Sequence, residues 1–114
     1  MTDQISTSVE GDVTVVTVRG SLAFDLARNL IDEIEAALAK GNKKIVVDLS
    51  SVTYINSMGV ASLVTVFTKV SNNGGRVILS GLTRKTSDLL QTTKLNTIFD
   101  VVDSVANATT LLAT

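Results

Sequence analysis

Apolar and polar positions alternate from Ile5 through Thr7 to Val9. Glu10-Gly11-Asp12 then supplies turn residues, and Val13 to Val18 follows as a β-branched run. A period of two on either side of a turn predicts a β-hairpin. Gly20 closes its second strand. The period then lengthens: Leu22, Ala27, Leu30, Ile31, Ile34, Ala37 and Leu38 recur at helical spacing, with Asp25, Arg28, Asp32, Glu33 and Glu35 between them. Gly41 fits the left-handed residue that ends a helix. Ile45-Val46-Val47-Asp48-Leu49 is a short, nearly continuous apolar run of the kind found in buried parallel strands. A second helical stripe runs through Val60, Leu63, Val64, Phe67 and Val70, and Asn72-Asn73-Gly74-Gly75 ends it. Arg76 to Ser80 predicts a fourth strand, broken by Gly81. Thr83 to Thr93 predicts a weaker helix with Leu89 and Leu90 inward. Ile98 to Val102 predicts a short strand or extended segment, and Ser104 to Leu112 a last helix.

The order β, β, α, β, α, β, α, β, α argues for an α/β fold. Its expected form is one mixed sheet, an antiparallel hairpin followed by parallel strands. Right-handed crossovers between neighbouring strands place the helices mainly on one face. Strand order is not fixed by this pattern.

Composition narrows the function classes. The chain has 114 residues, 45% of them hydrophobic, which suits a single domain over 1–114 with a true core. Net charge is −1 with no basic block, which argues against direct nucleic-acid binding. There is no cysteine and no histidine. Thiolate metal sites and disulfides are thereby excluded, and the commonest general base and zinc ligand are missing. The expectation is a protein that is not an enzyme, with no cofactor and no metal. No run approaches the roughly 18 apolar residues of a membrane span. Met1-Thr2-Asp3-Gln4 is polar and acidic, unlike a signal peptide, so a cytoplasmic protein without membrane insertion is expected.

The chemistry concentrates in Tyr54-Ile55-Asn56-Ser57-Met58-Gly59-Val60, between the third strand and the second predicted helix. Ser57 falls where a loop enters that helix, beside unpaired backbone N–H groups and a partial positive charge. Two readings stand side by side. Serine is a preferred N-cap, and an accessible serine at a helix start is also a phosphoacceptor. Gly59 reads as a simple breaker, or as room for a partner backbone or a phosphate to approach. Met58 is core filler or an adaptable contact. Asn56 is a loop former whose amide could hold the serine hydroxyl. Asp32, Glu33 and Glu35 read as a solvated helix face, and Asp48, inside a strand, needs water or a partner. Gly74-Gly75 ends a helix and so is no phosphate-cradling loop.

Gly20-Ser21-Leu22, Ile45 to Leu49, the Tyr54–Val60 segment, Gly74-Gly75 and Leu95…Ile98-Phe99 occur in an order that resembles a single STAS domain, specifically the bacterial anti-sigma-factor antagonist group. In that group the loop reads aspartate, serine, serine or threonine, glycine, and the first hydroxyl residue is phosphorylated. The matching positions here are Asn56, Ser57, Met58 and Gly59. The phosphoacceptor is kept, whereas asparagine replaces the aspartate and methionine the second hydroxyl. Ala23 stands where relatives often carry another aspartate.

The resemblance implies a partner switch. The unmodified protein would bind a GHKL-type serine kinase that doubles as an anti-sigma factor, and phosphorylation of Ser57 would release it. A PP2C-type phosphatase would reset the switch, and sigma-dependent transcription would follow. Ser21, Leu22, Ala23, Asn56, Ser57, Met58, Gly59 and Val60 are the expected partner-binding residues. Two alternatives remain open. One is a non-enzymatic scaffold or adaptor in a signalling assembly or beside a transporter, with no phospho-switch. The other is a small-ligand domain using the helix entrance as an anion site; no basic or aromatic cluster in the sequence points to it.

Overall fold

The computed structural model describes residues 4–112. The polar N-terminal stretch, except Gln4, lies outside them. Five strands form one sheet in the order β1-β2-β3-β4-β5. They are β1 (Gln4–Glu10), β2 (Val13–Leu22), β3 (Lys44–Ile55), β4 (Arg76–Ser80) and β5 (Asp100–Val102). β1 pairs with β2 antiparallel, and every later pairing is parallel. Gly11 turns the hairpin at φ +64°, a conformation that glycine adopts without a Cβ clash. Four α-helices follow the strands: α1 (Phe24–Ala39), α2 (Ser57–Asn72), α3 (Arg84–Thr92) and α4 (Val105–Leu112).

The alternation read from the sequence sorts the side chains onto two faces. Val16, Val18, Ile45, Val47, Leu49, Val77 and Leu79 point to the face covered by α1, α2 and α3, meeting Leu30, Ile34, Leu63, Val66 and Leu90. Val13, Val15, Val46 and Ile78 point the other way and pack under α4 through Ala108 and Leu112. Three helices therefore share one face and the last covers the other. Right-handed crossovers between strands laid down in sequence order leave the three connecting helices on one side. Only α4, which connects to no later strand, is free to cross beneath. Phe99 closes the large core edge-to-face on Phe67, with centroids 5.5 Å apart, a geometry that adds about 0.5–1.5 kcal/mol beyond area burial.

Two expectations are corrected. Gly20 does not close β2: it sits within the strand at φ +99°, and β2 continues through Ser21 to Leu22. β3 does not stop at Leu49 but runs to Ile55. The cause is pairing. Arg19, Gly20, Ser21 and Leu22 of β2 partner Ser51, Val52, Tyr54 and Ile55 of β3, across two register shifts in which β3 carries the extra residues. Each extra residue is a β-bulge, which bends a strand and re-aims its side chains. The bulge at Ser50 also gives Asp48 its partner, since Asp48 Oδ1 accepts from the Ser50 N–H at 3.0 Å and from its hydroxyl at 2.8 Å.

Candidate functional site

The extended ends of β2 and β3 lie side by side, with Leu22 opposite Ile55. Each runs straight into a helix, so the starts of α1 and α2 open together at the carboxyl edge of the sheet. Crevices at that edge are where open parallel sheets bind their ligands and partners.

What separates β3 from α2 is a single residue, Asn56. It is extended (φ −119°, ψ −172°), and its side-chain oxygen accepts the Gly59 N–H at 3.1 Å. Asn56 is thus the N-cap, and the expectation that Ser57 caps the helix is corrected. Ser57 is the first helical residue. Its hydroxyl is exposed and hydrogen-bonds to no other described residue. Asn56 does not hold it either, because the Asn56 acceptor is directed at Gly59.

Gly59 is buried, and the room expected around it does not exist. A Cβ there would collide with the Leu22 carbonyl oxygen and lie 2.8 Å from Ile55 Cγ1. Glycine at this position lets the first turn of α2 press directly on the end of β2. The absent side chain is filled by the protein's own backbone, not by a visitor. Val60 and Leu22 are buried at 8% and 0% exposure, and Ala23 is buried at the N-cap position of α1. These residues, with Gly59, shape the site from beneath, whereas Ser57 and Met58 form its surface, and Ser21 and Asn56 are half-buried. Ala23 carries no side-chain acceptor, so α1 begins with no side-chain cap.

The structure adds Phe24, which the sequence pattern did not single out, and gives Tyr54, named there only as part of the segment, a place on the surface. Phe24 is 66% exposed and Tyr54 50%, on the two strand-to-helix junctions that flank Ser57, with Met58 exposed beside them. Phe24 is also held at φ +48°, a conformation costly for a residue with a Cβ and found mainly where surrounding structure imposes it. A signal for this surface was present in the sequence: no charged residue stands between Asp48 and Lys69. Exposed aromatic and methionine side chains with depleted charge mark the centre of protein interfaces. Shallow concavities lie on either side. One, of about 260 Å³, runs between α1 and α2 past Ala27, Arg28, Ile31 and Met58. The other, of about 410 Å³, is bounded by Tyr54, Ile55, Lys85 and Leu89. Arg28 lines the first of these hollows, and Lys85 with Asp88 the second. Among the described residues no group of acidic side chains could hold a metal ion, and no helix is long and apolar enough to cross a membrane.

Residues 4–108 match the STAS domain family, and the chain belongs to it. Among solved structures the fold is similar to that of a putative anti-sigma factor antagonist from Thermotoga maritima, at 23% identity over 96% of this chain and 95% of that one, with a TM-score of 0.89. An anti-sigma factor antagonist from Mycobacterium paratuberculosis is equally similar, at 23% identity over 99% and 96% of the two chains and a TM-score of 0.88. The Bacillus cell fate determinant SpoIIAA in its phosphorylated form aligns at 18% identity over 94% and 96%, with a TM-score of 0.73. At these identities the likeness establishes the fold.

Proposed function

We propose that this protein is an anti-sigma-factor antagonist whose binding to an anti-sigma factor with serine kinase activity is switched by phosphorylation of Ser57. The observation that carries the reading is the division of labour at the start of α2. Asn56 performs the capping, so the Ser57 hydroxyl is left exposed with no structural duty. A phosphate added there breaks no bond of the fold, and its charge sits favourably at a helix N-terminus. The same phosphate would bring almost two negative charges onto a surface whose exposed side chains include Phe24, Tyr54 and Met58. Desolvating that charge in a packed interface opposes binding, and each ~1.4 kcal/mol lost lowers affinity tenfold. The unmodified protein binds the kinase, the modified one is released, and a PP2C-type phosphatase restores the first state. The protein is a substrate in this cycle, not an enzyme.

The test is a titration of a GHKL-type anti-sigma kinase with wild-type protein and with Ser57→Ala and Ser57→Glu, alongside intact-mass analysis after incubation with ATP. A single phosphate that Ser57→Ala cannot accept, with Ser57→Glu binding weakened at least severalfold, is the expected result. Equal affinity of all three forms and no mass change would refute the switch. That outcome would favour the non-enzymatic scaffold reading, which the replacement of aspartate by Asn56 and of a second acid by Ala23 already favours. Asn56→Asp keeps the capping acceptor and adds a charge beside Ser57, so faster phosphorylation of that variant is expected if a carboxylate helps to orient the hydroxyl.

A further inference from the structure

β1 is the outermost strand of the sheet, and no described strand pairs with its free edge. Natural edge strands are usually guarded by proline, lysine, a bulge or a covering element. β1 has none of the first three within it: it is seven residues, Gln-Ile-Ser-Thr-Ser-Val-Glu, in unbroken register with β2. Its sequence also reads nearly the same in both directions about Thr7. Ser6 mirrors Ser8, Ile5 mirrors Val9, and Gln4 mirrors Glu10.

We propose that the free edge of β1 pairs antiparallel with β1 of a second copy, about a two-fold axis normal to the sheet and midway between the two Thr7 residues, joining two five-stranded sheets into one. In this register Thr7 faces its own copy, Ile5 faces Val9, Ser6 faces Ser8, and the Gln4 amide faces the Glu10 carboxylate. Every pair matches in polarity, and no like charges stand opposite each other along the strand. Ile5 and Val9 lie on the side of the sheet that carries α1, where Ile5 packs on the core and Val9 is 59% exposed. The second copy's Ile5 would cover Val9, and the reciprocal contact follows from the symmetry. Moving the axis by one residue along the strand sets Ile5 against Thr7, or Val9 against Thr7, and shortens the ladder, so this register is preferred over its neighbours.

One interaction opposes the pairing. Thr7 donates a hydrogen bond to Glu33 of α1 at 3.0 Å, so the two-fold axis brings one Glu33 from each copy to the same side of the sheet. Seven residues of edge contact with this repulsion make a weak, concentration-dependent dimer, small against the interfaces of stable complexes. Screening the repulsion strengthens it.

The test exploits the absence of native cysteine. Sedimentation equilibrium over a concentration series should show reversible dimerisation that tightens with added salt and in Glu33→Gln. Under mild oxidation Thr7→Cys should cross-link to itself several-fold faster than Gln4→Cys or Glu10→Cys alone, whereas a mixture of the last two should cross-link readily, because directly opposed residues approach within about 5 Å at Cβ. Circular dichroism of each variant checks that the fold is kept. A monomer throughout the series, or cross-linking indifferent to position, overturns the proposal. Neither result bears on the Ser57 switch, which sits at the carboxyl edge of β3.

Discussion

Replacing Gly59 by alanine should destabilise the protein, although the same change in most helices does the opposite. Alanine is favoured over glycine in a helix by about 1 kcal/mol, and Gly59 has no left-handed φ to forbid it. The opposing effect is steric. The new Cβ would run into the Leu22 carbonyl oxygen, 3.1 Å from the carbonyl carbon and 2.8 Å from Ile55 Cγ1. Two of these three neighbours are backbone atoms of a paired strand, which cannot rotate away as a side-chain tip can. Overpacking of this kind costs about 1–3 kcal/mol, and more when backbone must move. After the helical gain is subtracted, the expected net loss is up to about 2 kcal/mol, towards the upper end because backbone atoms must move. With a urea m value of about 1–3 kcal/mol/M, the unfolding midpoint should fall by roughly 1 M. Gly74→Ala is the control. Gly74 has φ +75° and open space around it, so its cost of about 1 kcal/mol is purely conformational. If Gly59→Ala unfolds at the same or a higher urea concentration than wild type, the close approach of α2 to β2 is not as described.

Asn56→Ala should cost about 0.5–2 kcal/mol through loss of the bond to Gly59 N–H, while Ser57→Ala should stay within about 0.5 kcal/mol of wild type as an ordinary surface change; equal losses in paired denaturant melts would return the capping role to Ser57. Thr14 is 1% exposed, and its hydroxyl has no hydrogen-bonding partner among the described residues. Thr14→Val keeps the shape and removes that unpaired group, so it should raise stability by about 1 kcal/mol, and a lower melting temperature would contradict this. Hydrogen bonding and attraction from Lys44, 2.8 Å away, hold the Asp12 carboxyl below its ordinary value of 3.8. A depressed carboxylate stabilises the fold above its unfolded pKa, and that contribution is lost as pH falls through the folded pKa. An NMR titration should therefore place Asp12 below 3.8 in wild type and return it towards that value in Lys44→Met; coincident curves would discount the pair.

Local pattern was enough for the class of fold. The alternation in Val13 to Val18, the unbroken apolar run at Ile45 to Leu49 and the helical stripes through Leu30, Ile34, Leu63 and Val66 each state a period, and a period is a property of neighbouring residues. The site's position was legible for the same reason, as a serine where a strand pattern gives way to a helical one. The roles of its residues were not. In β3 the core-facing residues Ile45, Val47 and Leu49 are spaced by two, but Val52 and then Ile55 come three later. That break reads as a loop, and polar Ser50, Ser51 and Thr53 strengthen the impression. It is a strand because β2 extends alongside it and accepts its bulged register, and that pairing joins segments about thirty residues apart in the chain. Once β3 reaches Ile55, only Asn56 remains to cap α2, so Ser57 is moved from cap to first helical residue. Likewise, what fills the space at Gly59 is the carbonyl of Leu22, a neighbour supplied by the other strand. The sequence alone determined where a hydroxyl would stand at a helix start; the pairing of β2 with β3 decided that this hydroxyl is left free, because backbone hydrogen bonds between distant segments outweigh the local preference of serine to cap.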